Sequence, residues 1–392
     1  MLLSDILFQI YTLANLNLML TAPNEDPVAS LIKSSGYPVE KHEVLTKDGY
    51  IITLHRIPPR SSNSSAIKKP VLLVHALTSS GGQWVVNGNK SLAFMLSDRG
   101  FDVWIMHARG TSYSLKHRNL SPRHPRFWDF SWHEIGVYDV GGSIDYVLQK
   151  TQQKKVFYVG HSQGPTVFVV LMSMHPEYNE KVAAAYLLQP AIFIHNTYGF
   201  LRPAVKVLTQ FARTRNFEKI LFQNSLTAFF NRNVCGNKPF SVLCENMAIL
   251  FYGGDTGQVV DKHNSMAKTV KYAFDNVSVK QLIHYGQVYG DEKFQMFDYG
   301  PEINRNIYNG SSTPPEYDLS RVTVPTIVMY GTRDALTTAN DIKTLMEKLP
   351  NVKEVYKLPW NHGDLIVGKD TDLLFNRIIH SMERWNNEQV KI

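Results

Sequence analysis

Ten consecutive residues, Lys155-Val-Phe-Tyr-Val-Gly-His-Ser-Gln-Gly164, constrain this chain more than any other stretch. Val156 to Val159 is a short apolar run suited to a buried strand, and it feeds directly into Gly160-His161-Ser162-Gln163-Gly164. The apolar segment from Pro165 to Met174 that follows is long enough for a helix. Strand, G-x-S-x-G and helix together make a sharp turn that leaves a serine oxygen exposed, which is the setting of a nucleophile. The two glycines fit because side chains would collide across so tight a turn. Pro165 fits because the first turn of a helix has N–H groups without intrahelical partners. A bare G-x-S-x-G arises by chance in loops; the flanking strand and helix make Ser162 the candidate nucleophile.

Strand-like runs recur on both sides of this turn. A short helix over Pro27 to Ser34 precedes two runs, Lys41–Thr46 and Tyr50–Ile57, joined through Lys47-Asp48-Gly49 as a hairpin. Pro70 to Val74 reads as a central strand ending at His75-Ala76-Leu77-Thr78. Phe101 to Met106 is the next, ending at Ala108-Arg109-Gly110. Helical segments are expected at Ser91–Arg99 and Asp139–Gln149, and another strand at Ala183–Leu188. This alternation predicts an α/β fold with a mostly parallel sheet covered on both faces. From Ala191 to Pro315 the rhythm changes to mixed aromatic and basic helical segments, such as Tyr198–Phe217 and Glu218–Asn231. It resumes with a strand at Val324–Tyr330, a helix near Ala339–Lys348 and a strand at Lys353–Lys357. The expected organisation is a core of residues 23–190 and 316–392 with a helical cap inserted at 191–315.

A serine nucleophile needs a base, and the base needs an acid to orient it. On sheets of this kind the chain order is serine, acid, histidine, each at the carboxyl end of a strand. Gly331-Thr-Arg-Asp334 follows one late strand and Pro359-Trp-Asn-His362-Gly-Asp364 follows the other. Asp334 and His362 therefore satisfy order and place. Asp364 competes with Asp334 by sequence proximity to His362, but reads as support for the histidine loop. His161 and Trp360 read as packing residues. A tetrahedral intermediate also needs backbone donors. Gln163, directly after the nucleophile, would supply one, and Leu77 in the loop after the first central strand the other.

The charge balance of +7 favours anionic surfaces, yet Lys and Arg are dispersed and form no nucleic-acid stripe. Residues 1–22 read as a weak signal peptide rather than a short anchor or a retained helix, apolar but lacking a basic start and carrying Asp5. The spacing of the two cysteines, Cys235 and Cys244, leaves open a disulfide or two free thiols. Sequons at Asn63, Asn89, Asn119, Asn276 and Asn309 tilt the chain toward the secretory pathway as glycosylation candidates.

Taken together, these residues resemble the acid lipase family, the gastric and lysosomal acid lipases of the α/β-hydrolase superfamily. The resemblance runs from about Pro27 to near the C-terminus. It includes Gly36-Tyr-Pro, Thr46-Lys-Asp-Gly-Tyr-Ile51, Ser91-Leu-Ala-Phe94 and Gly100-Phe-Asp-Val-Trp104. Ala108-Arg-Gly110, Phe127-Trp-Asp-Phe-Ser-Trp132, Tyr138-Asp139, the serine turn and Asn361-His-Gly-Asp364 complete it. It implies the triad Ser162, Asp334 and His362, oxyanion donors at Leu77 and Gln163, and a cap disulfide between Cys235 and Cys244. It also implies a secreted or lysosomal lipase acting on neutral lipid esters at an oil–water or membrane interface. No metal, cofactor, nucleic acid or obligate protein partner is implied. The chain departs from the family pattern at Ala76, where the family has glycine, and at His107-Ala108, where it has Asn-Ser. Two rival expectations are a lipid-binding homologue that has lost turnover and a carboxylesterase for small soluble esters.

Overall fold

The most apolar runs of the sequence form the centre of a nine-stranded sheet. The computed structural model describes residues 26–60, 69–197, 218–220, 252–259, 268–269, 271–290 and 293–388. Residues 1–22, Asn63, both cysteines and most of the expected cap helices lie outside the described residues.

The strands are β1 (Glu40–Leu45), β2 (Tyr50–Ile57), β3 (Val71–Val74), β4 (Val103–His107), β5 (Lys116–His117), β6 (Val156–His161), β7 (Val182–Leu188), β8 (Lys219–Ile220), β9 (Val277–Ser278), β10 (Thr326–Gly331) and β11 (Val352–Leu358). The main sheet runs β1-β2-β4-β3-β6-β7-β10-β11, with β5 paired to β2. From β4 to β11 every pairing is parallel, while β1, β2 and β5 add antiparallel. The Lys41–Ile57 hairpin of the sequence reading is β1–β2. The edge strand β1 is charged and exposed on alternate positions, as an unpaired edge requires.

Seven helices that bear on the core and the site are α1 (Pro27–Ser34), α2 (Leu92–Asp98), α3 (Gly141–Thr151), α4 (Gln163–Met174), α5 (Val279–Gly290), α6 (Ala339–Lys348) and α7 (Thr371–Glu388). Strand pleating sorts the core into two layers. Leu72, Val74 and Tyr158 face α3 and α4, whereas Val71, Leu73, Phe157 and Val159 face α1, α2 and α7. Helix α7 was not anticipated, although Leu374, Phe375, Ile378, Ile379 and Met382 make a buried stripe at helical spacing. Each such side chain contributes about 1.5–3 kcal/mol of burial.

One local expectation is corrected. A helix was expected from Glu218, yet Lys219–Ile220 is a strand paired antiparallel to Val277–Ser278. The β-branched Ile220 sits opposite Val277, a pair that favours the pleated conformation. Among the described residues, no helix is long and apolar enough to cross a membrane.

Candidate active site

Every loop expected to carry a site residue lies at the carboxyl end of a parallel strand, where open α/β sheets place their ligands. Strand β6 delivers Ser162 onto α4 through a backbone with φ 56 and ψ −101, a left-handed conformation forced by the strand-to-helix reversal. A Cβ at Gly160 would come within 2.6 Å of the Gly164 carbonyl carbon, across the turn as expected. At Gly164 the obstacle is the neighbouring strand instead, with the Val74 carbonyl oxygen 2.7 Å away. The turn is pinned by the Ser162 N–H donating to Leu188 O (2.9 Å) and the Ala191 N–H donating to Ser162 O (3.1 Å).

His362 and Asp334 come from the loops after β11 and β10. His362 Nε2 is 2.9 Å from Ser162 Oγ, and His362 Nδ1 is 2.7 Å from Asp334 Oδ2. The Asp334 carboxylate also accepts the Leu336 N–H (2.7 Å), the Thr337 N–H (3.0 Å) and the Thr337 hydroxyl (2.6 Å). So held, it accepts a hydrogen bond from the Nδ1–H of His362, which leaves the Nε2 lone pair toward the serine hydroxyl. Asp334 and His362 are only 2% and 3% exposed, so little water competes for these bonds.

Asp364 makes no bond to the His362 ring. Its carboxylate accepts the Asn361 N–H at 2.8 Å and the Thr256 hydroxyl, so it ties the histidine loop to the stretch between β7 and β10. His161 donates from Nε2 to the His362 carbonyl (3.2 Å), and burial pushes its pKa down to about 3, so it is a neutral prop. Trp360 is buried in the core.

The loop after β3 is clamped by His75. Its Nε2 accepts the Ala108 N–H at 3.0 Å and its Nδ1–H donates to Ala76 O at 2.8 Å. Burial holds this imidazole down to about 4. The Ala76 N–H donates to Gln83 Oε1 (3.0 Å), and Ala76 is not among the residues with positive φ; Thr78 is, at 55°. Leu77 sits between these two fixed points. Gln163, which begins α4, donates from its side chain to Gln281 Oε1 on α5 (2.8 Å).

The altered segment His107-Ala108-Arg109 is also fully engaged. Arg109 is buried, bonding Asp139 through Nε (2.8 Å) and Asp48 through a second nitrogen (2.9 Å), with its carbon 3.9 Å from the Tyr50 ring centre. His107 accepts the Gly81 N–H and contacts His55 (2.9 Å), which reaches Asp26 (2.9 Å).

Several site contacts escaped the sequence reading. Tyr252 O accepts the His362 N–H (3.1 Å), and the Tyr252 ring lies 6.0 Å from the imidazole. Gln281 and Asp275 also approach from the stretch between β7 and β10, with no motif to mark them. Of the sequons, Asn89, Asn119 and Asn309 are exposed, whereas Asn276 is only 5% exposed.

Known proteins show the same architecture. The model of the partial α/β-hydrolase lipase region matches residues 28–88, and that of the α/β-hydrolase fold matches residues 69–369. Lipase 3 of Drosophila melanogaster is 36% identical over 90% of this chain and 92% of its own length. The gastric triacylglycerol lipase of Mus musculus is 35% identical over 91% of each. Among solved structures, a soluble variant of monoglyceride lipase from Saccharomyces cerevisiae superposes with a TM-score of 0.55 at 14% identity, covering 89% of this chain and 96% of that one. These full-length likenesses, with the serine turn and its fold, place the chain among the ester hydrolases: it belongs to the acid lipase family of α/β-hydrolases.

Proposed function

We propose that this chain is a serine lipase that hydrolyses neutral lipid esters through an acyl-enzyme. The observation that carries the reading is the hydrogen-bonded line Asp334–His362–Ser162 at the strand ends. Ser162 Oγ attacks the ester carbonyl while His362 Nε2 takes its proton. The oxyanion is held by the N–H groups of Leu77 and Gln163, the latter at the positive end of α4. His362 then protonates the leaving alcohol as the carbonyl–oxygen bond breaks. Water, deprotonated by the same imidazole, attacks the acyl-serine and releases the fatty acid. Asp334 holds the tautomer throughout and stabilises the imidazolium.

The ordinary φ of Ala76 removes one motive for a binder without turnover, because that backbone does not depend on glycine. Residues 191–315 act in this reading as a cap over the acyl chain. Contacts of Gln281 with Gln163 and of Tyr252 with His362 support that role. Purified protein and Ser162→Ala would be assayed on a long-chain triglyceride emulsion and a short soluble ester, at acidic and neutral pH. Activity on the emulsion that falls by about four orders of magnitude in the variant is expected. Activity confined to the soluble ester would instead identify a carboxylesterase, and activity retained by Ser162→Ala would exclude the mechanism.

The same reading places the mature protein outside the cell or in the lysosome, with residues 1–22 removed, Cys235 bonded to Cys244, and glycans at exposed sequons. Intact mass of the exported protein, before and after deglycosylation, checks all three. A retained leader and two alkylatable thiols would contradict them.

A further inference from the structure

Asp275 is a buried acid outside the proposed triad, and its surroundings tie it to the oxyanion loop. It is 1% exposed, and among the described residues no cationic side chain pairs with it. Its carboxylate accepts three hydrogen bonds: from the Ser112 N–H (2.7 Å), the Ser112 hydroxyl (2.8 Å) and the Asn276 N–H (2.8 Å). Burial pushes this carboxyl up to about 7 from an ordinary 3.8. Its ionised form therefore works against folding as pH rises through that window, unlike a stabilising ion pair.

The backbone around Asp275 runs along the loop that carries Leu77. The Asp275 N–H donates to Thr78 O (3.0 Å), the Ser80 N–H donates to Ala273 O (2.7 Å), and Ser79 bridges Phe274. The approach is so close that a Cβ at Gly82 would lie 1.7 Å from Tyr272 O. On its far side, Ser112 belongs to the loop that His75 already binds through Ala108. Thr111 closes that loop onto the Ala108 carbonyl (2.7 Å). Leu77 thus lies between two pins, His75 acting on Ala76 and Asp275 acting on Thr78.

We propose that Asp275, contributed by the inserted region, is a positioning residue for the Leu77 N–H in the oxyanion hole; this rests on the serine-lipase reading above. The carboxylate locks the strip 272–276 to Ser112, and the strip in turn fixes the left-handed Thr78 that aims the preceding amide. Removing the lock lets the donor drift while Ser162, His362 and the acyl-binding surfaces stay in place. The effect belongs to the transition state, where the oxyanion exists, and not to ester binding.

The test uses full-length protein with p-nitrophenyl butyrate and a short-chain trifluoromethyl ketone, whose serine adduct places an oxyanion in the hole. Asp275→Ala is expected to lower kcat by roughly 10- to 100-fold with KM within about twofold, less than the ~100- to 1000-fold effect of deleting a donor outright. Its ketone inhibition constant should rise by the same factor as kcat/KM falls. Asp275→Asn should restore most of kcat, because its Oδ1 can accept both N–H groups and its amide can donate to Ser112 Oγ. If Asp275→Ala does not fold, Ser112→Ala carries the test, with a several-fold loss in kcat at unchanged KM. Unchanged kcat in the folded variants, or a loss confined to KM, would overturn the inference and leave the lipase reading intact. Retained activity in Ser162→Ala would overturn the reading itself.

Discussion

Gly160 and Gly164 flank Ser162 against different obstacles, the turn itself and the neighbouring strand. Gly160→Ala forces backbone against backbone, so it should destabilise the fold by about 1–3 kcal/mol. A urea midpoint equal to that of the unsubstituted chain would show that the turn relaxes. The sequence disclosed Ser162, Asp334 and His362 because each follows a strand in a fixed order, and strands are legible as apolar runs. It disclosed Arg109 only as a turn residue, since burial between Asp48 and Asp139 depends on segments that meet only after folding. Asp275 was invisible for the same reason. Its neighbour Asn276 drew notice as a sequon, although the side chain is buried in the folded chain.

Helix α5, between β7 and β10, shows how an element outside the central sheet is joined to α4. Tyr285 donates to Thr166 on α4 (3.1 Å), and His284 stacks on Trp132 with ring centres 3.6 Å apart. Burial holds His284 down to about 3. Below pH 6.5 the unfolded chain takes up a proton here that the folded chain refuses, so stability falls as pH drops from 6.5 toward 3. His284→Phe keeps a ring on Trp132 and removes that titration. The stability lost between pH 7 and 5 should shrink by up to about 2 kcal/mol, read from urea midpoints at the two values. An unchanged loss would mean that His284 is already protonated when folded. The central strands and α4 were legible as apolar runs of the right length. Strands β8 and β9 were not, because two residues carry no periodicity, and α7 shows its stripe only when read at helical spacing.

Across the whole molecule the excess of seven positive charges acts at longer range than any contact described above. Ser162→Ala protein should sediment more fully with vesicles containing anionic lipid than with zwitterionic ones. About 0.5 M salt should abolish the difference through screening. Equal binding to both would assign interface recognition to apolar contacts alone. The sheet order has a further consequence, for synthesis. Ser162 and His362 are 200 residues apart, and β10 and β11 join the sheet beyond β7, outside the strand that carries the serine. A chain emerging from the ribosome can complete its serine turn between β3 and β7 while the imidazole is still untranslated. Between β7 and His362 the nascent chain thus has its proposed nucleophile without the proposed base. Competence for the proposed chemistry then arrives in one step when the last strand docks.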